Sequence, residues 1–308
     1  MKLLSTAVAT AGIPSCARRR LVVLAGVAAL SAPGLSVAQA NALREDVIIP
    51  GTEIPDWGQV SQVSGRFARP ASTVPKVPTV LILHGSGGVD GRGASYAIAL
   101  WDAGIATLEI IMFPRGGRPR EGTKATMPHA AAALKWLAAR SDVDGQRLGV
   151  MGFSWGGVMA LMMSNDAVQE RLGKDVPKPV AFAPFYPTCT VLARFALGEP
   201  KSAYYGFFPR MRAAPMLIQV GTRDDYEEGE RPCDALIAAW PSAAREQVTV
   251  RYIEGATHAF DRPGASIQIY DPYAHGGRGG TVSITPSPKD AAEARQALVA
   301  FFVKTLKP

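Results

Sequence analysis

From residue 78 onward, short apolar runs alternate with longer helix-forming segments, one of them rich in alanine. The apolar runs have the length of strands and contain many β-branched side chains. Unbroken apolar runs are typical of strands that are buried on both faces of a parallel sheet. The pattern therefore predicts an α/β protein with a mostly parallel sheet and helices on both of its faces.

The predicted strands cover residues 78–83, 106–113, the segment around Val150, 180–185, 214–221 and 248–253. The predicted helices cover residues 93–102, 126–140, 158–164, 233–244 and 289–306. Residues 41–76 contain short segments with Pro50, Pro55 and Pro70 as breaks, and we expect an antiparallel edge hairpin there. No repeat or long low-complexity linker divides the chain, so residues 41–308 are predicted to form one domain.

The first forty residues have the features of a cleavable secretory signal peptide. Arg18, Arg19 and Arg20 precede an apolar run over 21–30, and a small-x-small cleavage site follows at residues 38–40. The arginines permit twin-arginine export as well as ordinary secretion, and both alternatives stay open. The apolar run is too short for a stable membrane anchor. We therefore expect an exported protein, periplasmic or secreted.

The leader also accounts for much of the basic charge of the chain. The formal net charge is +7, and it falls to +3 without the four cationic side chains of the leader. The remaining excess is mild and forms no basic cluster interleaved with aromatic residues. Nucleic-acid binding is therefore not indicated.

A candidate nucleophile lies in the segment Gly152-Phe153-Ser154-Trp155-Gly156, which directly follows the predicted strand around Val150. A strand that leads into Gly-x-Ser-x-Gly is the signature of a nucleophile elbow, a tight turn that exposes the serine hydroxyl above the sheet. The flanking glycines are needed because side chains there would collide with the turn and the following helix.

Suitable partners follow Ser154 in the order Ser, Asp, His, which an α/β-hydrolase requires. Asp224 comes directly after the strand 214–221, and His258 comes shortly after the strand 248–253. Both candidates thus lie at carboxyl ends of strands, where open α/β sheets place their sites. The sequence predicts a catalytic triad of Ser154, His258 and Asp224.

The strand 78–83 ends in a glycine-rich turn that begins with His84 and Gly85. Such a turn allows backbone N–H groups to face a reacting carbonyl. We expect the oxyanion donors to be the amides of Ser86 and Trp155, the latter being the residue after the nucleophile. His84 is predicted to be a structural hydrogen-bonding residue, and His129 and His275 are predicted to lie outside the site.

Two cysteines, Cys189 and Cys233, remain after removal of the leader. In an exported protein such a pair suggests a disulfide, with two separate buried thiols as the alternative. Both cysteines follow strand ends, so a bond between them would brace the loop that carries Asp224. No spacing of Cys or His matches a zinc site, and no metal is predicted.

These motifs together resemble the dienelactone hydrolase family of α/β-hydrolases, over residues 45–306. The resemblance is carried by the segments 83–88, 152–157, 221–225 and 255–261. It implies an α/β-hydrolase fold and the hydrolysis of small ester or lactone substrates without a cofactor. It also favours Asp224 over Asp225 as the acid of the triad.

The chain departs from the dienelactone hydrolases proper at two positions. Those enzymes use a cysteine nucleophile and a glutamate in the oxyanion loop, whereas Ser154 and Gly85 occupy these places here. The Ser-His-Asp scheme is therefore expected, and the lactone after which the family is named is a doubtful substrate. The resemblance also places Arg115 where the family has an arginine that binds the substrate carboxylate. A solvated or structural arginine is the alternative.

The leading hypothesis is an exported serine carboxylesterase. A serine peptidase of the prolyl-oligopeptidase type shares the fold and the elbow, but the predicted mature chain leaves no room for a gating propeller. A binding protein on the same fold is the third hypothesis, although such proteins usually lose a member of the triad. The natural substrate, its acyl chain length and the oligomeric state are not determined by the sequence.

Overall fold

An eight-stranded sheet forms the centre of the protein in a computed structural model that describes residues 43–71, 74–197 and 207–307. Its strands are β1 (Leu43–Ile54), β2 (Gly58–Arg69), β3 (Val77–Leu83), β4 (Ala106–Ile111), β5 (Val143–Phe153), β6 (Ala181–Phe185), β7 (Met216–Gly221) and β8 (Val248–Ile253). The strand order is β1-β2-β4-β3-β5-β6-β7-β8. Only the pairs β1/β2 and β2/β4 are antiparallel, and the strands from β4 to β8 are parallel. The predicted mostly parallel sheet with an antiparallel edge hairpin is confirmed.

The burial of the strands explains the apolar runs in the sequence. Every residue of β3, β6 and β7 is buried, because these strands lie inside the sheet and are covered on both faces. The edge strand β1 exposes most of its side chains. The core therefore follows the central parallel strands, and the antiparallel hairpin contributes Ile49, Val63 and Phe67 to it.

Eight of the nine helical segments in the described part of the chain surround the sheet, and the ninth, Ala274–Gly277, is a short turn interrupted by the positive φ of His275 and Gly276. The eight are α1 (Arg92–Asp102), α2 (Met127–Ala139), α3 (Trp155–Met162), α4 (Asp166–Leu172), α5 (Cys189–Ala196), α6 (Cys233–Ala238), α7 (Ser242–Arg245) and α8 (Pro288–Leu306). Two short 3-10 turns cover Thr123–Thr126 and Phe208–Arg210.

Two glycines of β5 show that the sheet is covered on both faces. Gly149 and Gly152 are three residues apart, so their Cα–H directions point to opposite faces of the sheet. A Cβ on Gly149 would lie 2.6 Å from the ring of Phe302 in α8. A Cβ on Gly152 would lie 2.1 Å from the carbonyl oxygen of Gly156 in α3. The two helices therefore pack on opposite sides of this strand, and both approach its backbone closely.

Two predictions about individual elements are wrong. The single helix expected over 233–244 is divided into α6 and α7, because Pro241 has an extended ψ of 145° and no N–H to continue a helix. Pro50 was expected to break the hairpin, yet it lies inside β1 opposite Gln62. An edge strand tolerates a residue without an N–H group, and β1 is the edge of this sheet.

Three elements are present that the sequence pattern did not predict. Helices α4 and α5 have only seven and eight residues, too short for a clear period. An antiparallel hairpin of β9 (Ile267–Asp271) and β10 (Gly280–Ile284) follows β8 and forms a separate two-stranded sheet. This hairpin lies beside the candidate active site.

The predicted signal peptide, residues 1–40, and its boundary with the domain lie outside the described residues. Across the described ranges, no helix combines the length and the apolar character needed to cross a bilayer. The single domain over 41–308 and its export stay predictions.

The close approach of α3 to the sheet gives a stability prediction. A Cβ on Gly156 would lie 2.2 Å from the carbonyl oxygen of Leu83, so Gly156→Ala requires a backbone shift. Overpacking of this kind costs about 1–3 kcal/mol of the free energy of unfolding, measurable by denaturant titration. The control is Gly145→Ala, whose Cβ would meet Ala138 at an ordinary 3.4 Å and which should stay within about 0.5 kcal/mol of wild type. Equal stability of the two variants would contradict the prediction.

Candidate active site

Ser154 lies on the turn between β5, which ends at Phe153, and α3, which begins at Trp155. Its backbone has φ 51° and ψ −107°, an unfavourable conformation for a residue with a side chain. The turn is held because the Ser154 N–H donates to the Phe185 carbonyl at 3.0 Å and the Gly156 N–H donates to the His84 carbonyl at 3.2 Å. The hydroxyl is thereby fixed above the carboxyl end of the sheet.

The structure brings the three predicted residues together in one hydrogen-bonded chain. The Nδ1 atom of His258 lies 2.7 Å from Oδ2 of Asp224, and its Nε2 atom lies 3.0 Å from Oγ of Ser154. His258 and Asp224 are buried, whereas Ser154 is half-buried. A carboxylate on Nδ1 keeps the proton on that nitrogen, so Nε2 is free to accept the serine proton. The arrangement suits nucleophilic attack by Ser154.

The two adjacent aspartates have different partners. Asp224 contacts His258, and its second oxygen accepts the Tyr226 N–H at 2.9 Å. Asp225 points elsewhere and accepts the Ser283 N–H of β10 at 2.7 Å. The structure therefore places Asp224 against His258, as predicted for the acid, and Asp225 at the attachment of the β9–β10 hairpin.

The two predicted oxyanion donors lie beside the serine. Ser86 and Trp155 both line a cavity that Ser154 also lines. Among the described residues, neither backbone N–H takes part in a hydrogen bond. The Trp155 ring is fixed because its Nε1–H donates to the Thr126 hydroxyl at 2.9 Å. Two free amides next to a nucleophile can receive the negative charge that develops on a carbonyl oxygen.

His84 has a structural environment, as the sequence suggested. The Met112 N–H can only donate, so Nε2 of His84 accepts from it at 2.9 Å, and the proton on Nδ1 is donated to the Gly85 carbonyl at 2.8 Å. Burial lowers the pKa of His84, which keeps the ring neutral. The ring therefore links the oxyanion loop to β4. His129 lies in α2, and His275 contacts the Thr281 carbonyl in the hairpin region, so neither joins the triad.

A buried polar network supports one face of His258, and the sequence analysis missed it. The Tyr186 ring packs edge-on against His258 with the ring centroids 4.7 Å apart. Its hydroxyl donates to Asp261 at 2.6 Å and accepts from Arg92 at 2.8 Å. Tyr96 donates to the other oxygen of Asp261 at 2.8 Å. The Tyr186 hydroxyl is thereby fixed by two hydrogen bonds, and the imidazole packs against a ring that is held in place.

Arg92 and Tyr186 keep their ordinary ionisation in this network. Burial alone would lower the pKa of Arg92, but Tyr186, Asp261 and Asp90 outweigh it and the pKa is raised. Burial raises the pKa of Tyr186, so its hydroxyl stays protonated and remains a donor. Arg92 also forms a 2.7 Å ion pair with Asp90. The Arg92 guanidinium beneath the site therefore stays charged and is paired with Asp90.

Tyr226 covers the other face of His258, with the ring centroids 4.3 Å apart. It belongs to a second group that links the acid loop to the β9–β10 hairpin, in which Tyr226 and Arg118 both hydrogen-bond the carboxylate of Asp271. The Arg118–Asp271 ion pair is 2.7 Å long. The alternation of apolar residues around Gly276-Gly277 is the signal that could have revealed this hairpin.

The predicted disulfide is present in the structure. Cys189 and Cys233, the first residues of α5 and α6, are bonded, and their Cα atoms are 4.9 Å apart. Close to the bond, the buried carboxylate of Glu227 accepts the N–H groups of Cys189 at 2.6 Å and Thr190 at 2.7 Å. Burial, and then the charge of Asp224, raises the pKa of Glu227 to about 7. The Cys189–Cys233 disulfide and the Glu227 carboxylate together fix α5 to the loop that carries Asp224.

Arg115 is exposed and lines a second cavity together with Ser154 and His258. It follows β4, and Gly88 packs against its backbone, since a Cβ on Gly88 would lie 3.0 Å from the Arg115 Cα. The structure thus places Arg115 at the rim of the site. Among the described residues, no group of three or more His, Cys, Asp or Glu side chains is arranged to hold a metal ion.

Comparison with known proteins identifies a family whose model matches most of the chain. The model of the dienelactone hydrolase family matches residues 63–305. Two uncharacterized proteins of Mycobacterium tuberculosis, from strains CDC 1551 and H37Rv, are 28% identical over 164 residues. The match covers 48% of this chain and 53% of each relative, so the chain spans about half the length of these relatives.

Solved structures share the fold at low sequence identity. A dienelactone hydrolase from Anabaena variabilis has a TM-score of 0.55 and 18% identity, with 86% of this chain and 99% of that chain covered. Esterase 2 from Thermogutta terrifontis, phosphorylated by paraoxon, has a TM-score of 0.60 and 18% identity, with 85% and 96% covered. These similarities confirm the predicted α/β-hydrolase fold.

The disulfide gives a second stability prediction. The bond joins residues 44 positions apart, and the chain-entropy relation assigns such a loop about 4 kcal/mol of stabilisation. The double variant with Cys189→Ser and Cys233→Ser should therefore unfold at a lower temperature than the oxidised wild type. A reductant should lower the melting temperature of the wild type and leave that of the variant unchanged. Free thiols in the exported wild-type protein, or identical melting curves, would refute the role of the bond.

Proposed function

The chain belongs to the dienelactone hydrolase family, and we propose that it is a serine hydrolase that cleaves carboxylic esters or lactones through an acyl-enzyme. The observation that carries the proposal is the unbroken hydrogen-bonded chain from Ser154 through His258 to Asp224, at the carboxyl ends of β5, β8 and β7. Two free amides beside the serine complete the requirements for acyl transfer.

The mechanism follows from the positions of these atoms. Oγ of Ser154 attacks the acyl carbon while Nε2 of His258 removes the hydroxyl proton. The amides of Ser86 and Trp155 bind the oxyanion of the tetrahedral intermediate. The intermediate collapses with cleavage of the bond to the leaving oxygen, and that oxygen takes the proton from His258. Water then attacks the acyl-enzyme, again with His258 as base, and releases the acid.

Asp224 acts through His258. Its carboxylate fixes the ring tautomer and stabilises the imidazolium that forms when the serine proton is transferred. The aromatic rings of Tyr186 and Tyr226 restrict the imidazole from both faces. The ring is thus oriented before substrate binds, which reduces the reorganisation needed in the transition state.

The serine and Gly85 distinguish this site from one with a cysteine nucleophile and an oxyanion-loop glutamate. A hydroxyl depends on an adjacent base to become nucleophilic, and the 3.0 Å contact with His258 supplies that base. Adding even a Cβ to Gly85 would bring it to 3.3 Å from the Phe153 carbonyl and 3.4 Å from Arg92. The crowding supports a site that works without a side chain at position 85.

We further propose that the protein is exported, to the periplasm or the medium. The sequence of residues 1–40 supports this, because it has the basic, apolar and cleavable parts of a signal peptide. The disulfide also supports export, since such bonds persist in oxidising compartments.

The triad can be tested with a fluorophosphonate probe and a nitrophenyl ester. Wild type should be labelled, and Ser154→Ala should not. His258→Ala should lower kcat/KM by at least ~10²–10⁴-fold because it removes the general base. His275→Asn is the matched control: it should behave as wild type, since the only hydrogen bond found for the His275 side chain among the described residues is to the Thr281 carbonyl of the hairpin, and its φ of 50° suits asparagine.

Equal labelling of Ser154→Ala, or a near-normal rate for His258→Ala, would refute the triad. Hydrolysis of aminoacyl-naphthylamides in preference to nitrophenyl esters would favour a peptidase instead.

Arg115 is proposed to bind a carboxylate of the substrate. A guanidinium can hold a carboxylate through two parallel hydrogen bonds, and among the described residues Arg115 forms no ion pair. Esters with a free carboxylate should therefore have a higher kcat/KM than neutral esters of equal size. Arg115→Ala should reduce this ratio while sparing neutral esters. An unchanged ratio in the variant would show that Arg115 is a structural or solvated residue.

A further inference from the structure

Glu227 is a buried carboxylate next to the loop position of Asp224, and the mechanism above does not use it. Its side chain lies where three segments meet: the loop that carries Asp224, helix α5 and, through the disulfide, helix α6. Among the described residues, no arginine, lysine or histidine forms an ion pair with Glu227. A buried charge without a cation is costly, so a carboxylate in this place needs a physical reason.

The surroundings of this carboxylate supply hydrogen-bond donors from α5. The Cys189 N–H donates to Oε1 at 2.6 Å, and the Thr190 N–H donates to Oε2 at 2.7 Å. The Thr190 hydroxyl accepts the Glu228 N–H at 2.9 Å and also hydrogen-bonds Glu227. Both N–H groups belong to the first turn of α5, where a helix has no acceptor of its own and favours negative charge. The site therefore suits an ionised carboxylate that accepts with both oxygens.

The same carboxylate anchors the turn that positions Asp224. In residues 224–227 the Glu227 N–H donates to the Asp224 carbonyl at 2.9 Å, and the Tyr226 N–H donates to the Asp224 carboxylate at 2.9 Å. The other carboxylate oxygen of Asp224 lies 2.7 Å from His258. The Glu227 side chain ties the end of this turn to α5, and the disulfide ties α5 to α6. The placement of Asp224 against His258 therefore depends on Glu227.

The charged groups around Glu227 leave Asp224 as its main electrostatic neighbour. Charged side chains of its loop and of the adjoining helices include Asp224, Asp225, Glu228, Arg194 and Asp234. Arg194 of α5 pairs with Glu228 at 3.1 Å, and Asp234 of α6 pairs with an arginine three residues before it. Asp225 accepts a backbone N–H of the hairpin. The charge that acts most strongly on Glu227 is therefore the negative charge of Asp224.

Protonation of Glu227 would weaken the anchor. Burial, and then the charge of Asp224, raises the pKa of Glu227 to about 7, so the carboxyl is ionised above this pH and gains a proton below it. A protonated carboxyl has one oxygen that carries hydrogen, whereas the N–H groups of Cys189 and Thr190 each need an acceptor. One of the two bonds between the loop and α5 is then weakened or lost.

We propose that Glu227 is a positioning residue whose ionised carboxylate holds Asp224 in place against His258. This inference rests on the proposed function, because the placement of the acid affects the rate only if the triad performs catalysis. Full activity then requires an ionised Glu227 as well as an unprotonated His258. On the acidic side, activity should fall more steeply than the titration of one group allows.

The test compares wild type with Glu227→Gln from about pH 5.5 to about pH 9, using the neutral ester para-nitrophenyl butanoate. Glutamine has the shape of the protonated carboxyl and one accepting oxygen. We expect kcat/KM of the variant to lie roughly tenfold below wild type above about pH 8, since small displacements of catalytic groups are costly. The difference should shrink toward about pH 5.5, because wild type then carries a protonated Glu227 itself.

Glu228→Gln is the matched control. Glu228 is the next residue, but its carboxylate is exposed and pairs with Arg194 and Arg278 at the surface, where ion pairs contribute little. Its kcat/KM should stay within about twofold of wild type at every pH. Circular dichroism and thiol titration check that both variants are folded with the disulfide intact. If Glu227→Gln does not fold, wild type decides: the slope of log kcat/KM against pH should exceed one on the acidic side, and a slope of one overturns the inference.

The outcomes separate this inference from the proposed function. A deficit of Glu227→Gln that is the same at every pH would make the residue a structural one. A rate equal to wild type above about pH 8 would make it dispensable. Either result overturns the inference and leaves the esterase proposal standing. If wild type cleaves no ester and Ser154 is not labelled, the esterase proposal fails, and the positioning role fails with it.

Discussion

The close contact between the backbones of α3 and the sheet is the constraint on which the site depends. At Gly156 the helix comes so near to Leu83 that a Cβ would lie 2.2 Å from its carbonyl oxygen. This approach allows the Gly156 N–H to reach the His84 carbonyl and holds Ser154 at a positive φ. The strain of that conformation, typically about 1–3 kcal/mol, persists because the surrounding packing leaves the turn no alternative. The position of the Ser154 hydroxyl above the sheet and the free N–H of Trp155 both result from this turn.

The imidazole is held by packing as much as by hydrogen bonds. Asp224 and Ser154 fix its edge, and the rings of Tyr186 and Tyr226 restrict its faces. Tyr186 in turn depends on a buried arginine, and isolated buried charges are costly unless they are paired and hydrogen-bonded. Arg92 meets this condition through Asp90 and the Tyr186 hydroxyl. The polar network beneath the site is therefore a support whose members depend on one another.

The sequence predicted the elements that have a strong local signal. Buried parallel strands leave unbroken apolar runs, and the turn after β5 leaves two glycines around Ser154. The sheet and the meeting of Ser154, His258 and Asp224 at its carboxyl edge were therefore predictable. The β9–β10 hairpin leaves a weaker signal and was missed, because its strands have only five residues each and the apolar alternation around Gly276-Gly277 is correspondingly short. The support of His258 was also missed. Tyr186 and Asp261 are 75 positions apart, and nothing in the local sequence shows that their side chains meet in the fold.

The β9–β10 hairpin is attached to the loop that carries Asp224 through several of its own backbone N–H groups. The Ser283 N–H donates to the Asp225 carboxylate, and the N–H groups of His275 and Gly276 donate to the carbonyls of Asp225 and Tyr226. These bonds use backbone donors of the hairpin, so they depend little on its side chains. One wall of the cavity lined by Arg115, Ser154 and His258 is thus encoded by a contiguous stretch, residues 267–284, downstream of the codon for His258. Insertions, deletions or exchanges in that stretch can change this cavity during evolution while Ser154, Asp224 and His258 are inherited intact.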